Sequence, residues 1–129
     1  MQANPGRPVL VVEDDAQIRD VIEELLRIEG YPSRCATDGA QAIALVRSGV
    51  RPSVILLDSM MPRMNGEQFL KVRGADPDLA AIPVYLISAS GNLDETTERY
   101  RVEGFLRKPF DPDRLLEIVR RHCPRGSSG

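Results

Sequence analysis

Val54-Ile55-Leu56-Leu57-Asp58, "VILLD", runs into Ser59-Met60-Met61-Pro62, "SMMP". Four apolar residues in a row end in a carboxylate, and a proline follows four positions on. An unbroken apolar run of this length is the pattern of a strand covered on both faces. A charge at the tip of such a strand needs a partner or a task. What the rest of the chain delivers to that tip therefore decides both fold and function.

The surrounding pattern repeats. Val9–Val12 is a second continuous apolar run, ending at Glu13-Asp14-Asp15. Ile18, Val21, Ile22, Leu25 and Leu26 then recur at helical spacing until Gly30. Ser33–Thr37 reads as a weaker strand, Asp38-Gly39 as a turn, and Ala40–Val46 as a second helix ended by Gly49 and Pro52. After the opening strand, Asn65-Gly66 leads into a short helix through Phe69, Leu70 and Val72. Val84–Ile87 is another buried-type strand leading to Ser88-Ala89-Ser90-Gly91, and a short helix is predicted over Asp94–Val102. Phe105–Arg107 is a brief last strand before Lys108-Pro109-Phe110. The last helix is capped near Asp111, has Pro112 in its first turn, and carries Leu115, Leu116, Ile118 and Val119.

Strict β/α alternation with continuous apolar strands predicts an α/β fold: a doubly wound, five-stranded parallel sheet with helices on both faces. The 129 residues suffice for one domain with a sizeable core. Residues 8–122 form that unit, with flexible ends at 1–7 and 123–129, where "PRGSSG" closes the chain. Seventeen basic against nineteen acidic residues, net −2, give no field suited to nucleic acid or an anionic membrane. No apolar run approaches the ~18 residues of a membrane span, and MQANPGRP lacks a signal peptide's apolar core. Cys35 and Cys123 match no metal spacing and read as free thiols, so the expected compartment is the cytoplasm. His122, among Arg120, Arg121 and Arg125, reads as a cation at a helix C-terminus and not as a catalyst.

In open sheets of this kind, chemistry sits outside the carboxyl ends of the strands. The first strand ends in Glu13, Asp14 and Asp15, the third in Asp58, the fourth in Ser88 and the fifth at Lys108. Singly, each has a plain structural reading: helix cap, turn residue, surface lysine. Jointly they sort the polar groups onto one edge of the sheet. Carboxylates are known nucleophiles that form acyl phosphates. A carboxylate among other acids repels an anionic phosphoryl group, and Mg²⁺ relieves that repulsion through oxygen ligands in near-octahedral geometry. Asp14 and Asp58 can supply ligands, with Glu13 holding a coordinated water. Lys108 adds a point charge, and the Ser88 hydroxyl can donate to a phosphoryl oxygen.

With these residues in place the chain resembles the receiver domain of two-component response regulators, over about residues 8–122. "VLVVEDD", "LLDSMMPRMNG", "ISAS" and "KPF" match that family's motifs in order. The resemblance implies sheet order 2-1-3-4-5 and Asp58 as acceptor of a phosphoryl group from a histidine kinase or phosphotransfer protein. It implies a Mg²⁺ bound by Asp14, Asp58 and the Met60 backbone carbonyl, with Glu13 acting through water. It also implies a cis peptide at Lys108-Pro109 that aims the lysine at the site. Ser88 and Phe105, three residues before the lysine, would be the switch pair. The face of the fourth helix, fifth strand and last helix would carry the output and offers a surface for pairing two copies.

Several positions depart from the family pattern. Phe105 lacks the hydroxyl of the tyrosine often found there. Met60 and Ser90 flank the path of attacking water, and an apolar Met60 points to slow self-dephosphorylation. Asn65 stands where an Asp is common, which a helix cap tolerates. The 20 residues from Ser88 to Lys108 are fewer than the family's usual spacing, so a short or displaced fourth helix is expected.

Three other classes fit less well. A phosphatase of the haloacid dehalogenase type needs an acid two residues after its nucleophile, where Met60 stands. A flavin-binding module needs a phosphate loop where Glu13-Asp14-Asp15 would repel it. An unphosphorylated scaffold would not require Asp14, Asp58, Ser88 and Lys108 together. No kinase core, cyclase segment or helix-turn-helix follows residue 122. The expectation is either a stand-alone receiver or one cut from a longer protein, with no direct nucleic-acid or membrane binding and no enzymatic turnover beyond its own phosphorylation.

Overall fold

The computed structural model describes residues 7–58, 66–89 and 93–123, with backbone only at 66, 67, 93 and 94. Expectations for Met60, Asn65 and Ser90 lie outside the described residues.

Five strands form one parallel sheet in the order β2-β1-β3-β4-β5. They are β1 (Val9–Val12), β2 (Ser33–Ala36), β3 (Val54–Asp58), β4 (Val84–Ser88) and β5 (Gly104–Arg107). Every residue of β1, β3 and β4 is buried, whereas the edge strands β2 and β5 mix buried and exposed positions. This is why the central strands read as unbroken apolar runs and β2 read weakly.

The helices are α1 (Ala16–Ile28), α2 (Gly39–Arg47), α3 (Gly66–Ala75), α4 (Pro77–Ala80), α5 (Leu93–Tyr100) and α6 (Pro112–His122). The strands' alternating side chains feed two cores. Val9, Val11, Leu56, Tyr85 and Ile87 pack with Ile22 and Leu26 of α1 and with Leu115, Ile118 and Val119 of α6. Leu10, Val12, Ile55, Leu57 and Leu86 pack with α2, Phe69 of α3 and Leu79 of α4. Truncating a central side chain such as Leu56, fully buried, to alanine costs ~2–5 kcal/mol.

The elements differ from the sequence reading in three places. Asp38 is the N-cap of α2, accepting from the Gln41 amide at 2.9 Å, and Gly39 is already helical, so the expected turn is a helix start. The one-turn α4 was not anticipated, although Asp76 caps it and Pro77 occupies its first turn. Helix α5 stops at Tyr100, two residues before the predicted end. There Arg101 turns left-handed (φ 56) and the Val102 amide reaches back to the Thr97 carbonyl at 3.2 Å. The helix is eight residues long, about two turns. Lys108-Pro109 is cis, as expected.

At the amino ends of the strands, Cys123 follows α6 and is buried; its thiol donates to the Arg7 carbonyl at 3.7 Å. Both cysteines are free. His122 ends α6 beside Arg120 and Arg121, as expected. Burial lowers its pKa, opposed by Glu103 and assisted by Arg121, and its Nε2 lies 2.8 Å from the Tyr85 hydroxyl.

Candidate functional site

Four chain segments meet at the carboxyl edge of the sheet. Glu13 follows β1, where its amide still donates to the Ala36 carbonyl at 3.0 Å, extending the ladder one step past the strand. Asp58 is the last residue of β3 and pairs with Ile87, one residue before Ser88 closes β4. Lys108 follows β5, its amide donating to the Ser88 carbonyl at 3.0 Å. Main-chain pairing of parallel strands thus sets these side chains side by side.

Glu13, Asp58 and Ser88 are buried and Asp14 is exposed. The Lys108 ammonium reaches in from the rim, 3.0 Å from Glu13 Oε1 and 3.6 Å from Asp58 Oδ1. One oxygen each from Glu13, Asp14 and Asp58 lies within 4.8 Å of the others. Oxygen ligands at ~2.1 Å from an octahedral Mg²⁺ lie about 3 to 4 Å apart, so the cluster nearly matches a small hard cation. Three carboxylates clustered around one ammonium also favour the arrival of a further cation. Donor type, spacing and charge fit Mg²⁺.

The third acid of the run has another role. Asp15 caps α1, accepting from the amides of Gln17 at 2.9 Å and Ile18 at 3.3 Å. Its own amide donates to Glu13 Oε2 at 3.2 Å, which turns that carboxylate into the site. Arg19, which the sequence reading assigned no role, clamps the loop by donating to the Glu13 carbonyl at 2.9 Å. Its only sequence signal is a cation one helical turn beyond the cap.

Phe105 lies beside Leu86 in the β4–β5 register and is half-buried against the α2–α5 side of the core. It therefore stands away from the acids, with β4 linking it to Ser88. An open apolar groove of about 470 Å³ adjoins the site, lined by Ile18, Val21, Ala89, Lys108, Pro109 and Phe110 among others. Val21, 54% exposed, is one of its walls.

Acids, lysine and buried serine at one end of a 2-1-3-4-5 parallel sheet define a class of phosphoacceptor-like α/β domain. The family comparison makes this specific: residues 9–120 match the response regulator receiver domain, and the chain belongs to that family. It is 33% identical over 119 residues to the DNA-binding response regulator MtrA of Mycolicibacterium paratuberculosis, covering 91% of this chain and 51% of that protein. It is 31% identical over 114 residues to RpaA, a DNA-binding dual master transcriptional regulator of Synechocystis, covering 87% of this chain and 47% of RpaA. The chain thus spans about half the length of the curated relatives it matches.

Among solved structures, the chemotaxis protein CheY4 of Vibrio cholerae superposes with a TM-score of 0.80 at 29% identity, covering 90% of this chain and 98% of CheY4. The receiver domain of the sensor histidine kinase PA1611 of Pseudomonas aeruginosa gives 0.80 at 28% identity, covering 91% and 97%. That structure holds a magnesium ion in its active-site cleft. The family and the doubly wound parallel sheet of order 2-1-3-4-5 expected from the sequence are therefore established. Among the described residues, no helix is long and apolar enough to cross a membrane.

Proposed function

We propose that this chain is a cytoplasmic signalling switch that takes a phosphoryl group onto Asp58 from a phosphohistidine on a histidine kinase or phosphotransfer protein. The observation that carries the reading is the placement of Asp58 within 4.8 Å of Glu13 and Asp14 and 3.6 Å from the Lys108 ammonium. A carboxylate oxygen of Asp58 attacks phosphorus, an O–P bond forms, and the P–N bond to the donor imidazole breaks. The electron pair returns to that imidazole, which leaves as it takes up a proton. Mg²⁺ would be held by Asp14 and Asp58, with Glu13 acting through water and, as the family resemblance implies, the Met60 carbonyl as a further ligand, and would supply charge neutralisation at the phosphoryl oxygens.

The chain's own residues do the rest. Burial of Asp58 excludes competing water, and Lys108 presents a fixed positive charge to the incoming oxygens. Ser88 offers its hydroxyl to the phosphoryl group once it has arrived. An apolar groove from Val21 to Phe110 adjoins the site and shares Lys108 with it. Phosphorylation adds about −2 charge, and Ser88 and Phe105 pass this to the face of α5, β5 and α6, which engages an output partner or a second copy.

The test is intact mass after incubation with acetyl phosphate, with and without Mg²⁺, on the wild type and Asp58→Asn. A gain of one phosphoryl group that requires both Mg²⁺ and Asp58 is expected. No Mg²⁺-dependent gain on a folded protein overturns the reading and leaves a scaffold.

A further inference from the structure

The loop that carries the acids has a support outside the cluster itself. Arg19, half-buried on α1, sets one nitrogen, Nη1, against two successive main-chain carbonyls, Glu13 at 2.9 Å and Asp14 at 3.5 Å. The residues that own those carbonyls also supply two of the three clustered carboxylates. Arg19 is itself fixed to the start of the helix, its amide donating at 2.9 Å to the carbonyl of Asp15, the cap of α1. The guanidinium therefore ties the first turn of α1 to the stretch of chain that presents Glu13 and Asp14. Groups that hold metal ligands from behind set affinity almost as strongly as the ligands do.

A competitor for that guanidinium stands one turn further on. Glu23 follows Arg19 by four residues in α1, the spacing of an intrahelical ion pair. Among the described residues no ion pair joins them. Glu23 Oε2 accepts instead from the Cys35 thiol of β2 at 2.9 Å. That thiol stays protonated and so remains a donor. Burial first and Glu23 next push its pKa up to about 12, with Arg19 pulling the other way. The edge strand thus holds Glu23 to one side and leaves Arg19 to the loop.

We propose that Arg19 is a positioning residue for the metal loop, kept at that task by the Cys35–Glu23 contact: it fixes the main chain of Glu13 and Asp14 so that their carboxylates meet a divalent cation together. The clamp stands on the geometry, while its use in metal binding rests on the Mg²⁺-dependent reading above. Charge and position act in opposite directions here, so the sign of the effect decides. Removing a cation near three acids strengthens Mg²⁺ binding by charge alone. Removing a clamp weakens it.

Titration calorimetry with MgCl₂ on the whole chain reads the difference. Arg19→Met is expected to weaken Mg²⁺ binding about tenfold or more, the usual scale for losing a partner behind a metal ligand. Arg19→Lys, which keeps the charge but not the planar fork, is expected to fall between that variant and the wild type. Unchanged or tighter binding by Arg19→Met overturns the clamp. Should that variant not fold, Arg19→Lys decides in the same way, since equal or tighter binding there leaves the fork no role. Cys35→Ala releases Glu23 toward Arg19 and is expected to weaken Mg²⁺ binding about twofold, the scale of an i,i+4 ion pair. In a Glu23→Gln background the same change is expected to cost nothing. No loss in Cys35→Ala, or a loss that persists with Glu23→Gln, overturns the part given to the Cys35–Glu23 contact. A wild type that binds no Mg²⁺ refutes the metal reading and the clamp's use with it, whereas equal binding by wild type and Arg19→Met refutes the clamp alone.

Discussion

The Lys108 ammonium lies nearer to Glu13, at 3.0 Å, than to Asp58, at 3.6 Å. The lysine is thus parked on one buried acid while standing within reach of the other. A cation held this way lowers the repulsion among the three carboxylates and is already aligned for the arrival of anionic oxygens.

Removing that ammonium separates its two tasks. Lys108→Met is expected to slow phosphorylation by acetyl phosphate ~10²-fold, the usual scale for a lost electrostatic contact in a transition state. Mg²⁺ affinity, measured by titration calorimetry, is expected to rise, because a competing positive charge is gone. An unchanged transfer rate would show that Lys108 does not reach the reacting group.

The packed carboxylates should weaken the fold until a cation joins them. Mg²⁺ at a hundred times its dissociation constant stabilises the native state by about 2.7 kcal/mol, readable as a shift in urea midpoint. Asp58→Asn is expected to be more stable than the wild type without Mg²⁺ and to gain little when it is added. Equal Mg²⁺ stabilisation of the two proteins would move the metal away from Asp58.

Acid should loosen the opposite end of the sheet. Burial lowers the His122 pKa below its ordinary 6.5, against the pull of Glu103 and with the help of Arg121. Between the folded and unfolded values the unfolded chain binds more protons, so the contribution is fully present above pH about 6.5 and fades as pH falls through the folded value. Urea titrations from pH 7.5 to 5.5 are expected to show this loss, and His122→Asn to flatten it. A variant with the same slope as the wild type would assign the pH dependence to other groups.

Much of the fold and the site was legible because both depend on short-range rules. Runs such as Val54–Leu57 encode burial on two faces, and Glu13, Asp58, Ser88 and Lys108 fall at strand ends by position alone. Less legible features depend on context. Asp38-Gly39 has the composition of a turn, and only the seating of Asp38 over the Gln41 amide makes it a helix start. Asp76-Pro77 carried a helix-start signal, but one turn is too short for periodicity to register. The stop at Arg101 uses a left-handed residue that is neither Gly nor Asn, so nothing in the chain announces it. Arg73 on a helix reads as a surface cation, and its burial follows from three carbonyls that meet only in the folded chain.

The contact between the Cys123 thiol and the Arg7 carbonyl has a consequence for how this domain can be wired to others. Residues separated by 116 positions meet at the pole of the sheet opposite the acids. Polypeptide joined at either side would leave from one spot, clear of the acidic rim. The fold is in effect a plug with both leads on its back, and it could be spliced into a host chain or closed into a ring without disturbing its front.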